Sequence, residues 1–111
     1  MNICSLPTTT SPNLTTFIFV GDVQVNFRFH GFRDVLYVSI WTESYRVDSV
    51  RCINKSWLLP KGFFADIAGN FRFETTDNRY PWYTDFNKIC LLKYYTDEEV
   101  DAIEIERNGL A

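Results

Sequence analysis

Apolar and polar residues alternate with a period of two through "FIFVGDVQVNFRF", residues 17 to 29, with Gly21-Asp22 in the middle. The pattern predicts two strands, 15–20 and 23–29, joined by a tight turn. Directly opposed residues of a hairpin share a face. A two-residue turn of the type II′ kind sets Val20 opposite Val23 and Ile18 opposite Val25. It gathers Ile18, Val20, Val23, Val25, Phe27 and Phe29 on one side and leaves Phe17 and Phe19 among Gln24, Asn26 and Arg28. A three-residue loop instead moves the two phenylalanines inward and strands Ile18 and Val20. Either register puts two large apolar side chains on the wetter face. Another segment of the chain covers them, or another subunit does, since contiguous exposed apolar area marks an interaction site.

Further along, "HGFRD" (30–34) reads as a turn in which Gly31 is free to take positive φ. Val35 to Trp41, "VLYVSIW", is apolar almost throughout, as in a strand buried on both sides. Val47 to Ile53 follows as a weaker strand. The pattern blurs from 54 to 70, where a short helical turn fits but Pro60 and Gly62 prevent a long helix. Phe71 to Thr75 alternates again, "TDNRYPWYTD" is an aromatic loop, and Lys88 to Tyr95 is a last strand. The end, "TDEEVDAIEIERNGLA", supports two readings. Thr96 and Glu99 form a capping box for a helix stopped by Asn108-Gly109, while the alternation of Ile103 and Ile105 suits an extended end. These elements predict one mainly β domain over 1–111, a small antiparallel barrel or sandwich with at most one or two short helices. Residues 1–14, rich in Thr, Ser and Pro, read as an N-terminal arm rather than core, and 96–111 as an acidic C-terminal tail.

Composition narrows the function by subtraction. Eleven basic against 14 acidic residues give a net charge of −3, so no overall basic field draws nucleic acid or an anionic membrane. The N-terminus has neither the basic nor the apolar region of a signal peptide, and no apolar run has the roughly 20 residues of a membrane-spanning helix. Cys4, Cys52 and Cys90 are an odd set without C-x-x-C spacing, which predicts reduced, buried thiols. Asn13-Leu14-Thr15 and Asn54-Lys55-Ser56 match the glycosylation pattern, which means little without secretion. His30 is the single histidine and has no evident catalytic partner. Neither the cysteines with His30 nor the C-terminal acids have metal-ligand spacing, and no glycine-rich phosphate cradle exists. "KGFFADI" (61–67) begins like an RNA-recognition signature, but Phe64 and the preceding Leu59-Pro60 break it. The expectation is a protein that is not an enzyme and uses no cofactor and no metal. An OB-like binding module for single-stranded nucleic acid or another ligand is the alternative, its aromatics serving as stacking platforms.

The order of elements adds a resemblance. "LPTTTSPN" leads into the hairpin and then "VLYVSIW", with "GNFRFETTDNRYPWYTDF" and "ICLLKYYTDEE" later. Over roughly residues 3 to 99 this series resembles the phage baseplate plug protein family, first described for a cyanophage. The family's usual Asp-Gly turn is here Gly21-Asp22, and Ser39 stands near its expected acid. The resemblance implies a structural virion component, synthesised in the host cytoplasm and sited at the distal end of the phage tail tube. Its partners would be other baseplate, hub, spike or tube proteins, with a symmetric homo-oligomer compatible, and with no membrane or nucleic-acid role. The expected partner interface combines the ribbon pair Phe17 and Phe19 with Tyr80, Trp82 and Tyr83 of the loop that Pro81 stiffens. For Trp82 the competing expectation is that it folds back over an open end of the barrel as core.

Overall fold

The computed structural model of the chain describes residues 2–7, 11–60, 62 and 65–107. Strands β2 (Leu14–Val20) and β3 (Val23–Phe32) pair antiparallel, with Val20 opposite Val23 and Ile18 opposite Val25. The turn therefore has two residues. Gly21 takes φ 61° while Asp22 stays out of the left-handed region, the pattern of a type II′ turn, which glycine adopts without a Cβ clash. Val25, Phe27 and Phe29 are fully buried, Ile18, Val20 and Val23 pack against them, and Phe17 and Phe19 face outward.

The next turn is tighter than the expected 30–34. β3 runs on through Gly31 to Phe32 and meets β4 (Val35–Trp41) across Arg33-Asp34, both at positive φ (51° and 63°), as a type I′ hairpin requires. Gly31 is needed for space rather than for its φ. A Cβ there would lie 2.7 Å from Cβ of Pro12 and 3.1 Å from Cη2 of Trp82. β4 pairs with β5 (Arg46–Arg51), and the register shifts between Val38 and Ile40. At this bulge Ser49 has φ 53° and its N–H donates to Oγ of Ser39 at 3.1 Å. The result is a four-stranded sheet in the order β2-β3-β4-β5.

A second antiparallel sheet, ordered β1-β7-β6, is built from β1 (Asn2–Cys4), β6 (Gly69–Thr75) and β7 (Cys90–Thr96). The start of the expected arm is thus part of the fold, with Cys4 and Leu6 buried. Leu6 donates its N–H to Oδ1 of Asn87 at 3.0 Å and accepts from Asn87 Nδ2 in return. Three paired residues and two apolar anchors suffice for such an edge strand, too weak a pattern to stand out in a Thr- and Pro-rich segment.

The crossover from β5 to β6 turns once, where Ser56 donates its N–H to Ile53 O at 3.2 Å and Lys55 takes φ 59°, and lies along the outer edge of β6. Lys55 donates its N–H to Phe73 O at 2.8 Å and Leu58 to Phe71 O at 2.9 Å. Asn70 extends the contact, accepting the Leu59 N–H at Oδ1 (3.0 Å) and donating from Nδ2 to Leu59 O (2.9 Å). Part of "KGFFADI" (61, 63 and 64) lies outside the described residues. A single 3-10 turn, Tyr83–Asp85, interrupts the aromatic loop.

Between the sheets the rings of Phe27 and Phe71 meet edge to face at 5.2 Å, and those of Phe29 and Phe73 at 6.0 Å. Phe86, from the aromatic loop, closes the group at 5.3 Å from Phe29 and 5.7 Å from Phe73. The described residues are mainly β, a two-sheet sandwich with one α-helix. Among the described residues no ladder joins β1 to β2, so the barrel form of the expectation does not close.

Helix α1 (Asp97–Arg107) settles the two readings of the C-terminus. Thr96 and Glu99 cap it reciprocally: Glu99 N–H donates to Thr96 Oγ1 at 3.3 Å, and Thr96 N–H to Glu99 Oε1 at 3.0 Å. Three acids in the first turn and Arg107 in the last suit the helix dipole. The expected stop, Asn108-Gly109, lies outside the described residues.

Phe29 touches rings from its own strand, from β6 and from the loop, so Phe29→Ala should lower the unfolding free energy by about 3–5 kcal/mol. Phe17→Ala, on the open face, should cost less than about 1 kcal/mol. Urea titrations of the two variants check the contrast.

Candidate protein-interaction surface

Strand register lays out the outer face of the four-stranded sheet. Phe17, Asn26, Trp41 and Arg46 form one row across it, and Thr15, Arg28 and Ser39 a second. A third holds His30, Tyr37 and Arg51, and Phe19 sits beside Gln24 near the hairpin tip. Helix α1 packs on the other sheet, and only the margins of this face are reached from outside it, by Tyr80 and Asp66 among the described residues. Phe17 and Phe19 are 53% and 61% exposed and meet edge to face at 5.7 Å.

The other aromatics of the face are held by cations or by each other. The Arg46 guanidinium lies 5.0 Å from the Trp41 ring and also bonds Asp48 at 2.8 Å. His30 stacks on Tyr37 at 5.5 Å. Arg51 lies 5.2 Å from the Tyr80 ring, so the tip of the aromatic loop joins the face at its far end. A hollow of about 620 Å³ opens beside Phe19, lined by Gln24, Asn26 and Trp41 with Asp22, Glu43 and Asp66.

Of the residues expected at an interface, Phe17, Phe19 and Tyr80 stand exposed, Tyr80 at 64%. Pro81 is fully buried, and Trp82 and Tyr83 are half-buried against the core, their rings 5.2 Å apart. Trp82 also reaches the bare Cα of Gly31. The loop is anchored from Pro81 onward and presents Tyr80 just before that anchor. Arg28 falls on this face as the two-residue turn predicts, whereas Trp41, Tyr37, Arg46 and Arg51 were not legible as members of it. "VLYVSIW" looks apolar on both sides, and only the pairing with β3 shows which half points outward.

The outer face of the three-stranded sheet differs, because α1 and Trp57 close part of it. Arg72 is held between the rings of Trp57 (4.8 Å) and Tyr95 (5.1 Å), and bonds Glu74 at 2.8 Å. Lys93 bonds Glu74 at 2.9 Å, the Tyr95 hydroxyl donates to it as well, and Trp57 Nε1 donates to Glu104 on α1. Burial works to raise the Glu74 pKa, but hydrogen bonds from Tyr95, Lys93 and Arg72 outweigh it and bring the carboxyl down to about 2. Every polar group here has a partner, which identifies the cluster as a structural tie between sheet and helix.

Reactive groups elsewhere are muted. All three thiols are free and buried, and burial pushes Cys4 up to about 11 and Cys90 to about 12, with Cys52 raised further. Among the described residues no group of three or more His, Cys, Asp or Glu side chains could hold a metal ion. No helix among them is long and apolar enough to cross a membrane.

Fold and surface together define a class: a two-sheet antiparallel β-sandwich with one capped helix and one open, aromatic-and-arginine sheet face. Neither the protein-family models nor the curated proteins compared with the chain give a match.

Two outcomes are expected. A folded pKa below the ordinary 4.5 means that Glu74 stabilises the protein at pH above that value and loses this contribution as the pH falls toward 2. Wild type should therefore lose unfolding free energy over that window more steeply than Glu74→Gln, as chemical denaturation at stepped pH would show. Removing Trp82 and Tyr80 should separate anchor from surface: Trp82→Ala should cost about 1–3 kcal/mol in the isolated domain, and Tyr80→Ala less than about 0.5 kcal/mol. Thermal unfolding of both variants checks this.

Proposed function

We propose that the protein is a structural, non-enzymatic component of a phage tail baseplate, a plug or hub-associated protein of the virion. It acts through protein–protein contacts with neighbouring baseplate, hub, spike or tube proteins. The observation that carries the contact role is the exposed Phe17–Phe19 pair on an otherwise ordered sheet face, continued through Trp41 to Arg51 and Tyr80. Exposed aromatic and arginine side chains of this kind dominate protein interfaces. The assignment to a tail rests on the likeness of the chain's order of elements to the baseplate plug family. On this reading Phe17, Phe19 and Tyr80 touch the neighbour, while Trp82 and Tyr83 hold the loop that presents Tyr80.

A second reading, a module binding single-stranded nucleic acid, has one observation in its favour: the open sheet face carries Arg28, and Arg51 over the Tyr80 ring. Against it stand the net charge of −3 and the commitment of Arg46 to Asp48.

Complementation of a tail-assembly system with Phe19→Ala/Tyr80→Ala tests the first reading. Incorporation into tails should fall at least about tenfold, while the isolated domain melts within a few degrees of wild type. Full incorporation of a stably folded double variant would remove the surface from the assembly role. Tight, salt-sensitive binding to single-stranded oligonucleotides would favour the second reading instead.

A further inference from the structure

We propose that two copies of this chain pair antiparallel along β2, about a two-fold axis through Phe17, and so join their four-stranded sheets into one. The inference begins with the four sheet edges. Natural β proteins guard their edges against pairing with other chains by short strands, charges, bulges or a covering segment. Three of the edges here are guarded in these ways. β1 has three residues; β5 carries Arg46, Asp48 and Arg51 and faces a register shift; β6 is covered by the segment from Asn54 to Leu58. Among the described residues β2 has no such device. Its seven residues, "LTTFIFV", contain no charge and no proline, and they pair with β3 without a break in register.

The hairpin also fixes which main-chain groups of β2 are free. In a two-residue hairpin the pair flanking the turn, Val20 and Val23, is hydrogen-bonded, and such pairs alternate along the strands. Leu14, Thr16, Ile18 and Val20 therefore bond to β3. The N–H and C=O groups of Thr15, Phe17 and Phe19 point to the free edge, and no main-chain bond joins them to another part of the described chain.

These outward groups are self-complementary. With Phe17 opposite the partner's Phe17, Thr15 falls opposite the partner's Phe19, and all three outward-facing residues meet outward-facing residues. On the inner side Thr16 meets the partner's Ile18, and Leu14 the partner's Val20. No like charges oppose, and β-branched and aromatic pairs, the favourable ones across strands, fill the positions. Below the edge a groove of about 490 Å³, lined by Ile3, Cys4, Ile18, Val20 and Tyr94, leaves room for the inward side chains of an added strand. A two-fold contact of this kind closes on itself, so it yields a dimer rather than a filament. A strand from an unrelated protein would need to supply this same uncharged pattern, which a second copy already has.

The inference needs only the open edge, not the tail assignment, and the two can fail separately. Sedimentation equilibrium of the purified protein, from micromolar to millimolar concentration, should show a monomer–dimer equilibrium. Phe17→Lys sets two like charges face to face on the axis and should weaken association at least about tenfold. Its circular dichroism should stay native, because the side chain is exposed. Phe17→Cys provides the register test. A hydrogen-bonded antiparallel pair has a Cα separation of about 5.5 Å, within reach of a disulfide, so mild oxidation should cross-link this variant as a dimer. Phe19→Cys alone should not cross-link, but should do so when mixed with Thr15→Cys. A wild type that is monomeric throughout would overturn the proposal. So would a dimer that survives Phe17→Lys, or one that fails to cross-link through Phe17→Cys. If Phe17→Lys does not fold, the cysteine series decides.

Discussion

The sandwich depends on one plane of rings. Phe27 and Phe29 project from β3, Phe71 and Phe73 from β6, and Phe86 from a loop, and their edge-to-face and stacked contacts are the main link between the two sheets. Rings bury much area for few rotatable bonds, so five of them can hold a small domain together. Because one comes from a loop, the ring plane also fixes that loop. Phe86 ties its C-terminal half to the core, Pro81 its centre, and Tyr80 is left standing at the edge of the outer sheet face. Position on the surface is thus set from inside.

Covering the two outer faces follows from the same plane. The three-stranded sheet turns Arg72, Glu74, Lys93 and Tyr95 outward, and α1 with Trp57 lies over them. Charges placed there are tolerable because each meets an opposite charge or a ring. The four-stranded sheet has no such cover, and its outward residues are satisfied one by one by neighbours in the sheet itself. A face left in this state exposes aromatic area continuously to solvent, unlike a polar surface.

Much of this was legible in the sequence, and the exceptions have physical causes. The hairpin register was open between two loops, and "VGDV" resolves it because Gly21 at the first turn position suits the type II′ geometry that the strand twist favours. The second turn is narrower than the 30–34 stretch suggests, since Gly31 marks a close approach of Pro12 and Trp82 rather than a bend, and two non-glycine residues take the positive φ values. Tertiary crowding of that kind leaves no local signature. The arm was undervalued for a related reason: a strand of three residues shows no periodicity. For the surface, Phe17, Phe19 and Tyr80 could be singled out from pattern and composition. The depth of Trp82, and the outward turn of Trp41 and Tyr37, depend on contacts distant in sequence.

Net charge alone does not describe the open face. The acids cluster on α1, which packs on β6 and β7, whereas Arg28, Arg46 and Arg51 share the outer face of the opposite sheet. The charge is thus unevenly spread, and on this face the arginines stand among acids as well, with Asp48 on Arg46 and Asp22, Glu43 and Asp66 around the hollow beside Phe19. The cations of the face are not equally available. Arg46 is divided between Asp48 and the Trp41 ring, Arg51 lies over Tyr80, and only Arg28 has neither an ion pair nor a ring partner among the described residues. A nucleic-acid backbone gains its affinity from several neutralised phosphates at once, and one free guanidinium falls short of that. Arginine stacked on an aromatic ring instead offers a flat, partly desolvated surface with a few directed donors. Such a surface suits another protein's side chains and carbonyl groups, and it is the physical ground for preferring a protein neighbour on this face.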